Sequence, residues 1–270
     1  PPARLSPRHH RPEPRRSPER MAAQRRLLEG DFATAEAAFA DLDTRARRLG
    51  LAYGPRLIGM MRLKLSTRRD GVPNAGRGLD PAVFFDSIHD VMPSMRPGLS
   101  RLCLRCGQRE LARSVLETMV GDTGSDLPRE VGYLNAVANL ALIAVELGDA
   151  ERAERLYDEL APYPHYNTPT CLMWFEGSVS HALAALAVLL KRGKRAGAHF
   201  DDAMAMNEQL GLRPLLAETT YRYARFVLSG ARSPARRRVG LELRGRAVAL
   251  GDELGMGWLA DLARGLDAGG

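Results

Sequence analysis

Cysteine is scarce in this chain, three in 270 residues, and the scarcity removes whole classes of protein. Three thiols cannot make the disulfide framework of a small secreted domain. Cys103 and Cys106 form a single CxxC, but a tetrahedral zinc site needs four ligands, and no second pair or suitably spaced His completes one. A redox pair belongs after a strand at a helix start, and the sequence offers no strand. Cys103 falls on a core-facing stripe, so the pair reads as buried small hydrophobes, and Cys171 stands alone. Long apolar runs are also missing. LAALAVLL, Leu183 to Leu190, meets Lys191 and Arg192 well short of the roughly 18 apolar residues a membrane span requires. The first twenty residues have no apolar centre, unlike a signal peptide, so a cytoplasmic, membrane-free protein is expected.

Catalytic patterns are absent as well. No GxxxxGK[ST] is present to cradle phosphates, and Gly76-Arg77-Gly78 follows no strand. GSVS, Gly177 to Ser180, lacks the second Gly of a nucleophile elbow, and Ser178 reads as a helix cap. Adjacent Asp201 and Asp202 point in different directions on a helix, the geometry of a solvated surface. The chain reads as a non-enzyme without metal or cofactor.

Basic charge is present but concentrated. The net charge is +7. The segment Pro1 to Arg20 holds six Arg against Glu13 and Glu19, or +4, which leaves 7 − 4 = +3 for the other 250 residues. Nucleic-acid modules cluster cations on one face and interleave aromatics, and the helical segments do neither, so direct nucleic-acid binding is not expected. Six Pro in those twenty residues rule out helix and predict a disordered tail over 1–20, with folded material over 21–270. The chain starts without Met, so either a fragment or a reading frame begun upstream of its true start is expected, with folded material beginning about Met21.

What fills the remainder is a recurring helical hairpin. In VSHALAALAVLLKRGKRAGAHFDDAMAMNEQLGLRP two amphipathic helices flank a basic turn, with Ala196, Phe200 and Ala203 on one face. Small residues let paired helices approach while a large one fills the gap between them. The same small-then-large spacing of four follows Gly30 (Ala35, Phe39), Gly107 (Ala112, Leu116) and Gly148 (Ala153, Tyr157). With turns also at Asp70-Gly71, Lys191-Arg192 and Ser229-Gly230, the spacing is 36 to 43 residues, longer than the ~34 of a tetratricopeptide repeat. HEAT and armadillo repeats share the longer period but do not call for this ordering after the turn. The expected fold is therefore all-α, a tetratricopeptide-like right-handed solenoid of helical hairpins with no sheet. Loops are expected at Arg68 to Pro81, Gly121 to Pro128, Pro162 to Pro169 and Ser229 to Arg238.

The run from Asp126 to Met256, including DLPRE, LALIAVELGDAERAERLYDELAPY, GSV and HFDDAMAMNEQLGLRPLLAETTYRYARFVL, resembles the C-terminal helical-repeat region of large bacterial signalling ATPases. These comprise LuxR-type transcriptional regulators and ATPase–adenylate cyclase proteins. Pro162, Tyr163, Asn207, Arg213 and Pro214 match as structural signatures, whereas Lys191 and Gly193 depart from the Gly and large aromatic expected at their turn. The resemblance implies a regulatory protein-interaction scaffold in signal transduction or transcription regulation. Its partner would be a protein or peptide, including an ATPase module upstream in the same polypeptide. The alternative is a sensor that binds a small effector in the superhelix groove.

In such arrays the first helix of each pair lines the concave surface. Aligning Ala141, Ala184 and Ala224 puts Asn135, Ser178, His181, Glu218, Tyr221 and Arg225 there as the candidate site. The amide, hydroxyl and guanidinium groups would satisfy a peptide backbone or a polar effector, with Tyr221 supplying contact area.

Overall fold

A computed structural model describes residues 18–50, 54–71, 93–170 and 174–267. Most of them are helical. Twelve α-helices run α1 Pro18–Glu29, α2 Phe32–Arg48, α3 Gly54–Asp70, α4 Arg96–Arg105, α5 Arg109–Met119, α6 Tyr133–Leu147, α7 Ala150–Leu160, α8 Val179–Leu189, α9 Gly193–Gln209, α10 Arg213–Ser229, α11 Pro234–Glu253 and α12 Gly257–Arg264. Among the described residues no helix is long and apolar enough to cross a membrane. The predicted tail lies outside the described residues up to 17, and its last three residues begin α1.

Local chemistry sets the helix boundaries. Asp31 and Asp149 cap α2 and α7 by accepting from the amides of Thr34 and Arg152. Ser178 caps α8 through the amide of His181, as the sequence suggested, and Ser233 caps α11 through that of Arg236, one residue before Pro234. The predicted loop over Ser229 to Arg238 is therefore short, because this cap starts the helix and takes the three consecutive arginines into it. Turns fall at Gly30, Gly107, Gly148 and Lys191, between consecutive helices. At the last, Lys191 adopts φ 58°, the left-handed conformation that glycine supplies at the other three.

Small and large residues four apart pack as their spacing requires: Ala35 and Phe39, Ala112 and Leu116, Ala153 and Tyr157, and Ala196 and Phe200 are all buried. The expectation of no sheet is corrected in two places. Val120–Gly121 (β1) pairs with Gly124–Ser125 (β2), and Asn167–Thr170 (β3) with Trp174–Ser178 (β4), both antiparallel. Each hairpin sits in an inter-helix connection where Gly or Pro stops the helix, so backbone groups pair across the turn instead. The loop predicted over Arg68 to Pro81 is helical as far as Asp70, and 72–92 lies outside the described residues.

Helices pack in sequential pairs, α4 on α5, α6 on α7, α8 on α9 and α10 on α11, and the first members α4, α6, α8 and α10 also touch in series. One arrangement breaks a neighbour-only pattern: α1 packs on α10 and α3 on α12, so the two ends of the described chain meet. Two apolar cores result. One contains Leu99, Leu116, Leu140, Ile143, Leu156 and Leu183; the other joins Leu27, Phe39 and Ala46 to Ala217, Met256 and Leu259. Helix α3 belongs to both. At 100° per residue, Ile58, Met61 and Leu65 form one stripe in the second core, and Met60 and Leu63 form another in the first. Lys64 and Arg68 project between the two stripes.

Candidate functional site

Buried polar residues on the first helices of the pairs converge where α3 lies across them. The cleft there is lined by Lys64, Thr67 and Arg68 of α3, Gly98, Arg101, Leu102 and Arg105 of α4, Asn139 of α6, Glu176 of β4 and Glu218 of α10. Its volume is about 350 Å³ with the open mouth included. Helical spacing does most of the placing. Lys64 and Arg68, Arg101 and Arg105, Asn135 and Asn139, and Glu218 and Arg222 each stand four apart, so each helix presents a polar pair on one face. The β3–β4 hairpin inserts Glu176 from the side, anchored where Thr168 Oγ1 donates to the carbonyl of Gly177 and Asn135 Nδ2 donates to the carbonyl of Thr168, each at 2.9 Å.

Charge contacts in the cleft are many and loosely made. Lys64 Nζ contacts Glu176 Oε1. Arg68 reaches Glu176 at 3.7 Å and Glu218 at 3.5 Å, and Arg101 reaches Glu176 at 3.8 Å and Glu146 at 3.6 Å. Four arginine contacts in the 3.5–3.8 Å range are electrostatic without being good hydrogen bonds. Among the described residues, Arg68 Nη1, Arg101 Nε and Asn139 Oδ1 are buried without a hydrogen-bond partner. Arg105 lays its guanidinium 5.2 Å above the Trp258 ring of α12.

Burial shifts several of the charges here. It lowers Lys64 well below the ordinary lysine value, helped by Arg68 and Arg101, while Glu218 works the other way. Arg101, Arg105 and Arg222 are lowered too, chiefly by burial, but an arginine starts so high that it stays charged. For Glu218 burial would raise the carboxyl, and Arg68, Arg105 and Arg101 outweigh it, holding it at about 2. His181 is held at about 3, by burial first and by Arg222 next. It is therefore neutral, and its tautomer follows from its partners. Thr219 Oγ1 spends its one proton on the carbonyl of Leu215, at 2.8 Å, and accepts from Asn207 Nδ2, so the 2.9 Å contact must be donated by His181 Nδ1.

The six residues read from the sequence separate into two groups. Asn135, Ser178, His181 and Glu218 are buried, but only Glu218 lines the cleft; the other three hydrogen-bond to neighbouring elements around it. Tyr221 packs against the second core and Arg225 is exposed, so the structure does not bring either to the cleft. One position decides it: Arg222, beside Tyr221, is the residue a full turn after Glu218. The sequence reading did not pick out Lys64, Arg68, Arg101, Arg105, Asn139 or Glu176. A signal was there, since basic pairs four apart inside otherwise apolar helices, KLSTR and RLCLR, cannot reach solvent if those helices are buried. Cys103 is buried beside Arg101 and Arg105, and Cys106 is half-buried; Cys171 lies outside the described residues.

No protein-family model, no curated protein and no solved structure matches this chain.

Proposed function

We propose that this chain is a non-catalytic regulatory domain of the tetratricopeptide-like kind that senses a small polar effector in the cleft between α3 and the first helices of its pairs. The scaffold reading, a groove open to a peptide, fits the geometry less well, because α3 itself lines the cleft together with α4, α6 and α10. A peptide would have to displace a helix rooted in both apolar cores. The observation that carries the effector reading is the cleft itself, where buried arginine donors from two helices lack hydrogen-bond partners. Buried donors are seldom left unmade, since each costs about 1–3 kcal/mol. Effector binding would report outward because the cleft joins distant parts of the described chain, α3 and α4 on one side and α10 on the other, with α12 tied to it through Trp258. The signalling ATPase context implied by the resemblance supplies an output for such a sensor, through a module in the same polypeptide.

A thermal-shift screen of small polar molecules, run beside a peptide array, tests this reading. The expected result is a saturable rise in melting temperature with a small ligand that Glu218→Gln weakens, and no sequence-selective peptide binding. Peptide binding that competes with nothing in the small-molecule screen would return the scaffold reading.

A further inference from the structure

We infer that the cleft is an oxyanion site that takes a single carboxylate or phosphate group of the effector. This rests on the effector reading above and names the chemistry of the ligand. Five cationic side chains, Lys64, Arg68, Arg101, Arg105 and Arg222, gather around three carboxylates, Glu146, Glu176 and Glu218. Among the described residues two positive charges are in surplus if all are ionised, and one if Lys64 is neutral. Two of the cations show why: neither Arg105 nor Arg222 forms an ion pair among the described residues. Uncompensated charge is costly to bury. An entering anion removes that cost, a neutral ligand leaves it, and a cation increases it.

Donor geometry points the same way. Arg68 is 8% exposed, so bulk water does not serve its Nη1. That atom faces Glu218 at 3.5 Å, and the Arg101 Nε, from a different helix, faces Glu146 at 3.6 Å, both too long for a good hydrogen bond. Two forked donors converging from separate helices suit a group whose several oxygens accept at once, which carboxylate and phosphate provide and a hydroxyl does not. The three carboxylates do not block this role. Each lies within ion-pair range of an arginine or lysine, with Glu176 between Arg68 and Arg101 at 3.7 and 3.8 Å, and at 3.5 Å or more these arginine contacts leave the guanidinium donors short of good hydrogen bonds. Size sets the class: the cleft is narrow and much of its space is the open mouth, so it takes one small anionic group, with any further part of the ligand lying in the mouth.

Calorimetric titration of the full chain at constant ionic strength tests the inference, with inorganic phosphate, methyl phosphate, acetate and succinate as probes and glucose as the uncharged comparison. Saturable one-site binding of a phosphate or a carboxylate is expected, and the two arms identify which source the site prefers. Arg101→Gln should weaken it at least tenfold, and Arg101→Lys, which keeps the charge but loses the fork, should weaken it less. Arg237→Gln with Arg238→Gln, on the exposed face of α11, should leave it unchanged. The wild-type titration is decisive even where a cleft variant fails to fold. Saturable binding of glucose alone, with an effect of Arg101→Gln, would overturn the anion inference and leave the effector reading standing. No saturable binding of any of the four anions would also overturn it, and the effector reading falls only if the wider screen is empty too. Anion binding lost in the α11 double variant but kept in Arg101→Gln would overturn it by moving the anion to the outer surface.

Discussion

The indole Nε1 of Trp258 donates a hydrogen bond to the backbone carbonyl of Arg68 at 3.0 Å, joining helices 190 residues apart in sequence. That carbonyl lies in the last turn of α3, where no later helical amide can reach it. The same ring lies under the guanidinium of Arg105. One side chain thus finishes α3, seats a cleft arginine and fastens α12 to both.

Removing it should loosen the closure of the two ends. Trp258→Phe keeps most of the packing but strands the carbonyl, for a loss of about 1 kcal/mol. Trp258→Ala should cost about 3 kcal/mol, the low end for a large aromatic because this one is half-buried. Urea denaturation gives both values, and hydrogen exchange should speed up in α3 and α12 together; protection unchanged in α3 would contradict the account.

Gly71 sits under that ring at φ +83°, and a Cβ there would meet Trp258 Cγ at 2.6 Å. Gly107 has φ +87° with nothing near its missing Cβ. Both Ala substitutions carry the left-handed cost of roughly 1–2 kcal/mol, but only Gly71→Ala adds the clash. The difference between the two variants should vanish in a Trp258→Ala background, and a difference that persists there would locate the strain elsewhere.

Lys191 holds the left-handed turn position that Gly fills between the other hairpins. Lys191→Gly should therefore stabilise the protein, by up to about 1 kcal/mol after the added entropy of the unfolded chain is subtracted. A lowered denaturation midpoint would show that the Lys191 side chain contributes more than its backbone strain costs.

Phe200 is 1% exposed and stacks on Tyr223 with centroids 4.8 Å apart, next to Phe226 at 6.0 Å. Phe200→Ala should cost about 3–5 kcal/mol and free α9 from α10. A loss under about 1 kcal/mol would mean that the aromatic group closes over the gap.

Acid should unfold the protein in two overlapping windows. His181 moves from 6.5 in the unfolded chain to about 3 when folded, so between those values the unfolded state binds the extra proton. Its contribution is complete above pH 6.5 and is lost as pH falls toward 3, by at most about 1.4 kcal/mol per pH unit. Glu218, moved from 4.5 to about 2, acts in the same direction below 4.5. The melting temperature should fall from near pH 6.5 downward. His181→Gln should flatten the profile between 6.5 and 4.5 and leave the lower part; an unaltered slope would show that His181 is protonated in the folded state.

The helices and turns were legible because they are local. Capping at Asp31, Asp149 and Ser178 depends on residues three apart, and the small-large pairs depend on residues four apart, so a linear reading finds both. The two short hairpins were not legible, since β3 and β4 lie in an inter-helix connection marked as a loop by Pro162, Pro164 and Pro169 and rest on pairing rather than on a periodic pattern. Tyr221 and Arg225 were assigned to the concave face by aligning Ala224 with its counterparts, and that alignment misses the face by one residue: Arg222 follows Glu218 by a full turn, and Tyr221 turns toward the N-terminal core.

By itself, then, the sequence determined the helical hairpins, their turn positions and the residues buried within each pair, because side-chain size and backbone conformation act over a single turn of helix. The cleft was decided only by tertiary structure. Lys64 and Arg68 look like the solvated face of a helix until α3 is placed between two cores, and that placement depends on α1 meeting α10 and Trp258 meeting Arg68. Contacts at such separations are set by the closure of the whole array, which no local pattern encodes, and closure turns four ordinary polar pairs into a buried cluster with an excess of positive charge.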